Sequence, residues 1–564
     1  MDLPITKQIG KKLGWPELQR EVLDYDLRTL KSDFWAGALV AAIAVPSVMA
    51  FAMLAGLNPV YGIYSFIIAA IAATFVGVST YAIVGPTSVV ALMIASALGT
   101  LVITGPEKLG AVLLLTLMVG VIQIALSFLD FGKLANYISR SVIVGLVTGV
   151  AVVIAVGQLT RILGFEQMHE ENVILHLYKI GANIGSINLI PLLIGFATIV
   201  VVLIAERVLS KAPAYLLAIG FSVGLIYFFG LETEVQLVGD FQGVFPGFNL
   251  PVLDLTLARK LFSYSFTIAM LGFLEVVTVS EFGGKGAVNE EEVNKEYLRV
   301  GVANTVCSLF GGFAGGESFT RSFINHEAGA KSRFSQLIAA IFVLAFVFFF
   351  GWVIKYFPFA SLGAILILVA FEMIDWEEIK KIVGTTKSDT LMFFVTFFAV
   401  ILIPRLDYAV YLGILFSLLL LVKDSSNVNY SYLKIGDEEV DQTQPGKIKS
   451  KNQVVIDLSG DLHFATAENL RKQLKEASQK ETTLILRMRN VDDIDMTIIE
   501  ELEGFIDEIR EKKNDIFFTG LTDDLEDKFQ KAGLIDKLGE DHFFTQEKKL
   551  FTASKKAVKK AEEN

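Results

Sequence analysis

Cysteine is almost absent. A single residue, Cys307, stands among 564, which excludes an internal disulfide framework and any cysteine-based metal centre. Histidine is scarce as well. The five residues His169, His176, His326, His463 and His542 show no paired ligand spacing, which argues against a zinc enzyme. Charged residues make up only 19% of the chain, against about 25% in a soluble domain. The net charge of −11 at pH 7 argues against a nucleic-acid partner. No Walker motif or glycine-rich phosphate loop with its lysine occurs, so no primary energy source is visible. No triad or metal cluster supports an enzyme, and nothing calls for a cofactor.

What is abundant is apolar. Hydrophobic residues reach 53%, with 44 phenylalanines, and the mean hydropathy is +0.55. They crowd into residues 34–422, whereas the charges crowd into the tail. A bilayer span needs about 20 mostly apolar residues. Candidate spans are 34–54, 61–78, 111–129, 139–159, 188–205, 213–229, 264–282, 300–312, 337–354, 362–374, 391–403 and 409–422. Two shorter pieces, 85–98 and 318–329, are broken by glycine or proline, which brings the expectation to about fourteen membrane helices. The charged N-terminus lacks the apolar core and cleavage site of a signal peptide. Lysine and arginine collect in alternate gaps, among them Lys133, Arg207, Lys285, Lys295, Arg299, Lys331, Arg333 and Lys380, while the gaps around 166–171 and 231–254 are acidic or neutral. By the positive-inside rule both termini lie in the cytoplasm of a cell-membrane protein.

The two short pieces carry the functional argument. Gly85-Pro86-Thr87-Ser88 opens the third passage and Gly315-Gly316-Glu317-Ser318-Phe319-Thr320-Arg321-Ser322 opens the tenth. They lie seven passages apart. Seven is odd, so the two halves face opposite ways, and paired interrupted helices at matching places point to a midplane substrate site. The N-terminus of each half-helix offers free N–H groups and a positive dipole end, and Arg321 adds a full charge. The blander alternative is close glycine packing with a snorkelling arginine. Glu275, in the eighth passage, is an intramembrane carboxyl that could carry a coupling proton or pair with Arg321, the bland alternative being a neutral, backbone-bonded side chain.

At these residues the chain resembles the sulfate permease (SulP) family of anion transporters. The matching blocks are Asp33-Phe34-Trp35-Ala36-Gly37, Ala44 to Ala52, Gly56 to Ser65, Val84-Gly85-Pro86-Thr87-Ser88, and Asn304 and Gly311 followed by Ser318 to Ser322 and Asn325. The resemblance implies a polytopic α-helical membrane protein of two inverted seven-helix repeats, arranged as core and gate domains that move as an elevator. It implies an anion held between the third and tenth helices, at Ser47, Phe51, Thr87, Ser88, Ser318, Phe319, Thr320 and Arg321. Glu275 takes the acidic position that couples protons in some members. A sodium-coupled branch carries Asp there, with Thr four residues on; Val279 here lacks that oxygen. Ser47 stands where many members have Gln. The family implies a homodimer.

After residue 422 the composition changes. The polar stretch 424–451 reads as a linker, and alternating strand and helix patterns over 452–564 read as a small α/β domain, leaving 1–33 as an N-terminal segment and 34–423 as the transmembrane domain. Leu462 to Ala467 and Val491 to Thr497 resemble a STAS domain, in which Thr497 stands at a phosphoacceptor position and a cytoplasmic protein partner is implied. Read from the residues alone, a threonine there serves as a helix cap. The last residues, 555–564, read as a solvated charged tail. The leading expectation is proton-coupled uptake of sulfate or a related oxyanion. The alternatives are a bicarbonate or dicarboxylate carrier or exchanger, a channel or motor-like protein, and a membrane-tethered signalling protein.

Overall fold

The computed structural model describes residues 10–101, 103, 106–133, 139–165, 173–208, 211–239, 247–282, 289–426, 429–435, 440–443, 453–478, 483–512, 514–547 and 551–563. The chain divides into two compact units, Met1–Ser417 and Leu418–Asn564.

The first unit is helical. Its elements are α1 (Trp15–Leu23), α2 (Leu27–Leu54), α3 (Val60–Thr74), β1 (Val84–Gly85), α4 (Ser88–Gly99), α5 (Pro106–Phe128), α6 (Arg140–Ile162), α7 (Val173–Ala182), α8 (Leu189–Val208), α9 (Lys211–Phe229), α10 (Leu255–Phe282), α11 (Glu290–Leu309), β2 (Gly316–Glu317), α12 (Phe319–Glu327), α13 (Phe334–Ile354), α14 (Phe359–Glu372), α15 (Trp376–Thr385), α16 (Lys387–Leu402) and α17 (Leu406–Ser425), the last of which runs past the division. Every one of the fourteen expected passages coincides with one of these helices. Seven apolar helices among the described residues are long enough to cross a bilayer alone; others, such as Val60–Thr74 and Ser88–Gly99, are shorter.

The two halves match element by element. In each, the third passage is a short helix preceded by a two-residue strand: β1 and α4, then β2 and α12. In each, a short helix that is no membrane passage separates the fifth and sixth passages: α7 and α15. The packing repeats too. α11 and α10 lie on α5, and α3 and α2 lie on α13, which is the same pairing with the halves exchanged. The equivalent strands run antiparallel, as inverted halves require.

Three sequence boundaries change. The charged stretch before residue 34 is largely helical: Asp26 caps α2 by accepting from the Thr29 N–H at 2.7 Å, and Asp33 is fully buried, taking N–H donors from Lys331 at 2.8 Å and Ser332 at 3.2 Å. Arg299 and Arg333 are not loop charges. They are buried, paired with Glu296 and Glu21 at 2.8 and 2.9 Å. Apolar counting started the ninth passage late because α11 opens on charged residues, Glu290, Glu291 and Glu292. Lys285 and the 166–171 gap lie outside the described residues.

The second unit contains β3 (Asn429–Ile435), β4 (Val440–Thr443), β5 (Gln453–Leu462), α18 (Ala467–Ala477), β6 (Thr483–Ile494), α19 (Met496–Glu511), β7 (Asp515–Leu521), α20 (Asp523–Lys531), α21 (Leu534–Leu538), β8 (Phe543–Thr545) and α22 (Thr552–Glu563). Six strands form one sheet in the order β4-β3-β5-β6-β7-β8, with β5 through β8 parallel and β3 antiparallel to both its neighbours. Thus 424–451 is not simply a linker. Tyr432 and Leu433 of β3 bury opposite faces of the sheet, in the two cores that flank it. The expected charged tail is also a helix. Ala553 and Ala557 of α22 are buried, and Ala557 packs on Leu433, Val455, Ile485 and Phe517. Lysine-rich spacing hid this small-residue stripe.

Candidate anion site at two half-helix termini

The site begins with backbone. Val84 pairs with Glu317 and Gly85 with Gly316. Each strand then leads into a helix, α4 from Thr87 and α12 from Ser318, both in extended conformation. Because the strands are antiparallel, the two helices start at one place and leave in opposite senses. Their unpaired N–H groups and positive dipole ends therefore lie close together. Glycine makes the crossing feasible: a Cβ on Gly315 would fall 2.2 Å from the Gly85 carbonyl oxygen, and one on Gly316 1.7 Å from Glu275 Oε2.

Non-helical backbone inside a membrane must find partners within the protein, and side chains from five neighbouring helices supply them. The Val84 N–H donates to Gln336 Oε1 at 2.8 Å, the Ile83 N–H to Ser322 Oγ at 2.9 Å, and the Gly315 N–H to Asn304 Oδ1 at 2.9 Å. Asn304 Nδ2 donates back to the Gly315 carbonyl at 3.0 Å, while Phe313 and Ala314 donate to Ser65 Oγ and Thr116 Oγ1 at 2.8 and 3.0 Å. The crossing is therefore rigid.

Arg321 lies in the first turn of α12 and is 2% exposed. Its Nη2 donates to the Pro86 carbonyl at 2.7 Å, and its guanidinium stands 5.6 Å from the Phe66 ring centroid. Its Nε–H has no hydrogen-bond partner. Glu275 of α10 presents its carboxyl to Gly316 and stands near Arg321 and the Thr87 hydroxyl. Neither Glu275 Oε2 nor Thr87 Oγ1 completes a hydrogen bond. A positive end with unused donors beside a lone carboxyl is chemically suited to an anion and a proton.

The structure thus gathers Thr87, Ser318, Arg321 and Glu275 around the crossing, and Thr320 lies in the first turn of α12. Four expected residues contribute differently. The Ser47 hydroxyl donates to the Ile43 carbonyl of its own helix at 2.8 Å, so its donor is already used; serine on a helix readily bonds back in this way. The Ser88 hydroxyl points to Met373 Sδ at 3.3 Å. The Phe319 ring is 49% exposed and stacks on Phe323, so only its backbone belongs to the helix start. Phe51 is buried in the core at 5% exposure. A cavity of about 540 Å³ adjoins the far end of α4, lined by Leu92, Ser96, Thr100, Gln158, Arg161 and Arg405 among others.

Sequence reasoning missed Glu296, Arg299 and Glu317. The first two form a buried pair, visible as an i, i+3 spacing but assigned to a loop. Glu317 sits within the quoted motif, and its acidic character was the available signal.

In the second unit the residue that caps α19 is Asp495, whose Oδ1 accepts the Ile498 N–H at 3.0 Å and whose Oδ2 accepts the Phe464 N–H at 2.6 Å. Thr497 is exposed in the first turn and does not act as the cap.

Comparison with known proteins gives the family and the fold. The sulfate permease family model matches residues 30–396 and the STAS domain model residues 444–550. YvdB of Bacillus subtilis (strain 168) is 28% identical over 527 residues, covering 92% of this chain and 97% of its own. Sulfate transporter 4.1, chloroplastic, of Arabidopsis thaliana is 26% identical over 542 residues, covering 91% and 78%. Among solved structures, the murine solute carrier 26 family member A9 anion transporter in the inward-facing state superimposes with a TM-score of 0.87 at 20% identity, covering 100% of this chain and 96% of that one. The transmembrane domain of the cyanobacterial bicarbonate transporter BicA gives 0.60 at 21% identity, over 70% and 98%. The matched region spans most of the chain, and the protein is a polytopic helical membrane protein that belongs to the sulfate permease family and carries a C-terminal STAS domain.

Proposed function

We propose that the chain is a secondary active anion transporter that takes up sulfate, or a related oxyanion, together with protons. The observation that carries this reading is the convergence of two half-helix N-termini on a buried arginine whose Nε–H is unused. An oxyanion accepts hydrogen bonds from the helix starts at Thr87 and Ser318 and from Arg321, all of which favour negative charge. Glu275 faces the same place. When ionised it competes with the anion for Arg321; when protonated it releases the guanidinium and lowers the charge that must move through the membrane. Anion and proton then load together, and the rigid crossing moves as one body in an elevator cycle, with the cavity beside α4 as access on one side. Relatives named as sulfate transporters support the choice of substrate. The reading places both termini and the STAS domain in the cytoplasm.

The test is uptake by proteoliposomes containing the full chain, with labelled sulfate, bicarbonate, nitrate, chloride and fumarate in parallel. Saturable sulfate uptake that unlabelled sulfate suppresses supports the reading. Preference for another anion reassigns the substrate, and conductance without saturation would favour a channel.

A further inference from the structure

The cavity at the far end of α4 serves only as access in the reading above. It is bordered by α2, α4, α6 and α7 and by the turn from α16 into α17. Leu92, Ser96 and Thr100 line it at four-residue spacing, so it follows one face of α4. Ser88, the first residue of α4, continues that stripe about 6 Å further along the axis. The cavity therefore leads toward the helix start where the anion site lies.

Its charges do not cancel. Two arginines line it, Arg161 and Arg405, and no aspartate or glutamate among the described residues does. Arg405 is balanced, because its Nη2 and Nε donate to Asp407 at 2.6 and 3.2 Å. Arg161, in the last turn of α6, has no such carboxylate among the described residues. Its Nη2 donates to the Met53 carbonyl at 3.3 Å, its guanidinium stands 5.8 Å from the Phe359 ring centroid, and its buried Nη1 has no hydrogen-bond partner. Gln158, one turn earlier, is 3% exposed, and its amide oxygen is unpartnered too; turned over, the amide presents its NH2 group to the cavity. The carbonyl ends of α2, α4 and α6 offset the charge only in part, because the chain itself caps them. The Gly56 N–H donates to Met53 at 3.1 Å, the Thr100 hydroxyl to Ala97 at 2.8 Å and the Leu163 N–H to Leu159 at 2.8 Å.

We propose that this cavity is a second anion site, in which Arg161 and the Gln158 amide hold a small oxyanion one step away from the crossing. A guanidinium with a spare N–H gives such an anion a charge-assisted hydrogen bond, and a cleft carrying charge of one sign concentrates it. That the anion is the transported one rests on the transport reading above; the site itself does not.

Thiol modification of the full chain in lipid tests this without transport. Cys307 is buried, so Thr100→Cys, at an exposed position on the cavity, supplies the reactive thiol, with Ser96→Cys as a second reporter. Relative to their rates with a free thiol, an anionic methanethiosulfonate reacts faster there than a cationic one. Arg161→Gln lowers that ratio roughly 5- to 10-fold, the effect of removing one nearby unit charge in water, and Arg161→Lys keeps it. At constant ionic strength sulfate slows the modification, and does so in Arg321→Ala, where the crossing is disabled, but not in Arg161→Gln. A ratio unchanged in Arg161→Gln, protection that disappears in Arg321→Ala, or thiols that neither reagent reaches would each overturn the proposal. If wild type takes up no sulfate, the transport reading fails, and the charge ratio still decides the cavity.

Discussion

Arg321 concentrates the electrostatics of the site in one side chain. Charge-assisted hydrogen bonds are worth about 1.5–3 kcal/mol, so Arg321→Ala lowers apparent sulfate affinity by roughly 10- to 100-fold. Competition binding on detergent-solubilised protein that remains monodisperse checks this, and unchanged affinity would show the arginine to be structural. The STAS unit offers an independent residue-scale contrast. Asp495→Ala removes the α19 cap and lowers the opening free energy of that helix by about 1 kcal/mol. Thr497→Ala, at an exposed position, changes it by less than about 0.5 kcal/mol. Hydrogen exchange of α19 in the full chain measures both; a larger loss at Thr497 would make it the anchoring residue. A role of Thr497 as phosphoacceptor is separate, since its hydroxyl is accessible and not used in capping.

Elements were legible in proportion to their apolar length. Each passage over 34–422 could be placed because its backbone has no option but helix in hydrocarbon. The half-helices were legible through Gly85-Pro86 and Gly315-Gly316, which mark where the helix cannot continue. What stayed hidden follows from the same rule. Hydropathy treats charge as a boundary, so it set Asp33, Glu296, Arg299 and Arg333 outside, whereas the fold buries them by pairing. It also could not show which acceptor a hydroxyl takes: Ser47 donates to the Ile43 carbonyl and Ser88 to Met373 Sδ. β3 and β4 escaped notice because a short edge strand, β4, and the strand beside it, both carrying many polar residues, look like linker. The crossing itself yields an element-scale prediction. Gly316→Ala forces a methyl into the Glu275 carboxyl, an overpacking that destabilises by about 1–3 kcal/mol. Thermal unfolding followed by size-exclusion chromatography should show a lowered midpoint and loss of sulfate uptake. A variant with wild-type stability and uptake would mean that the crossing is looser than described.

At the scale of the whole molecule, inverted halves would, on the proposed cycle, give one site two equivalent ways of exposure, and the STAS unit forms its own sheet with two cores. Truncation after residue 423 is expected to leave the anion site formed, because the described contacts that build the crossing all come from the first unit. Sulfate binding by the truncated protein checks this, and loss of binding in a well-folded truncation would contradict it. The measurement that bears most directly on the account is sulfate uptake into proteoliposomes at fixed external pH, with and without an inward proton gradient, for wild type and Glu275→Gln. The account predicts several-fold stimulation in wild type, and in Glu275→Gln retained sulfate exchange with no stimulation. Uptake driven by a sodium gradient instead, or a Glu275→Gln variant that remains fully proton-driven, would contradict it.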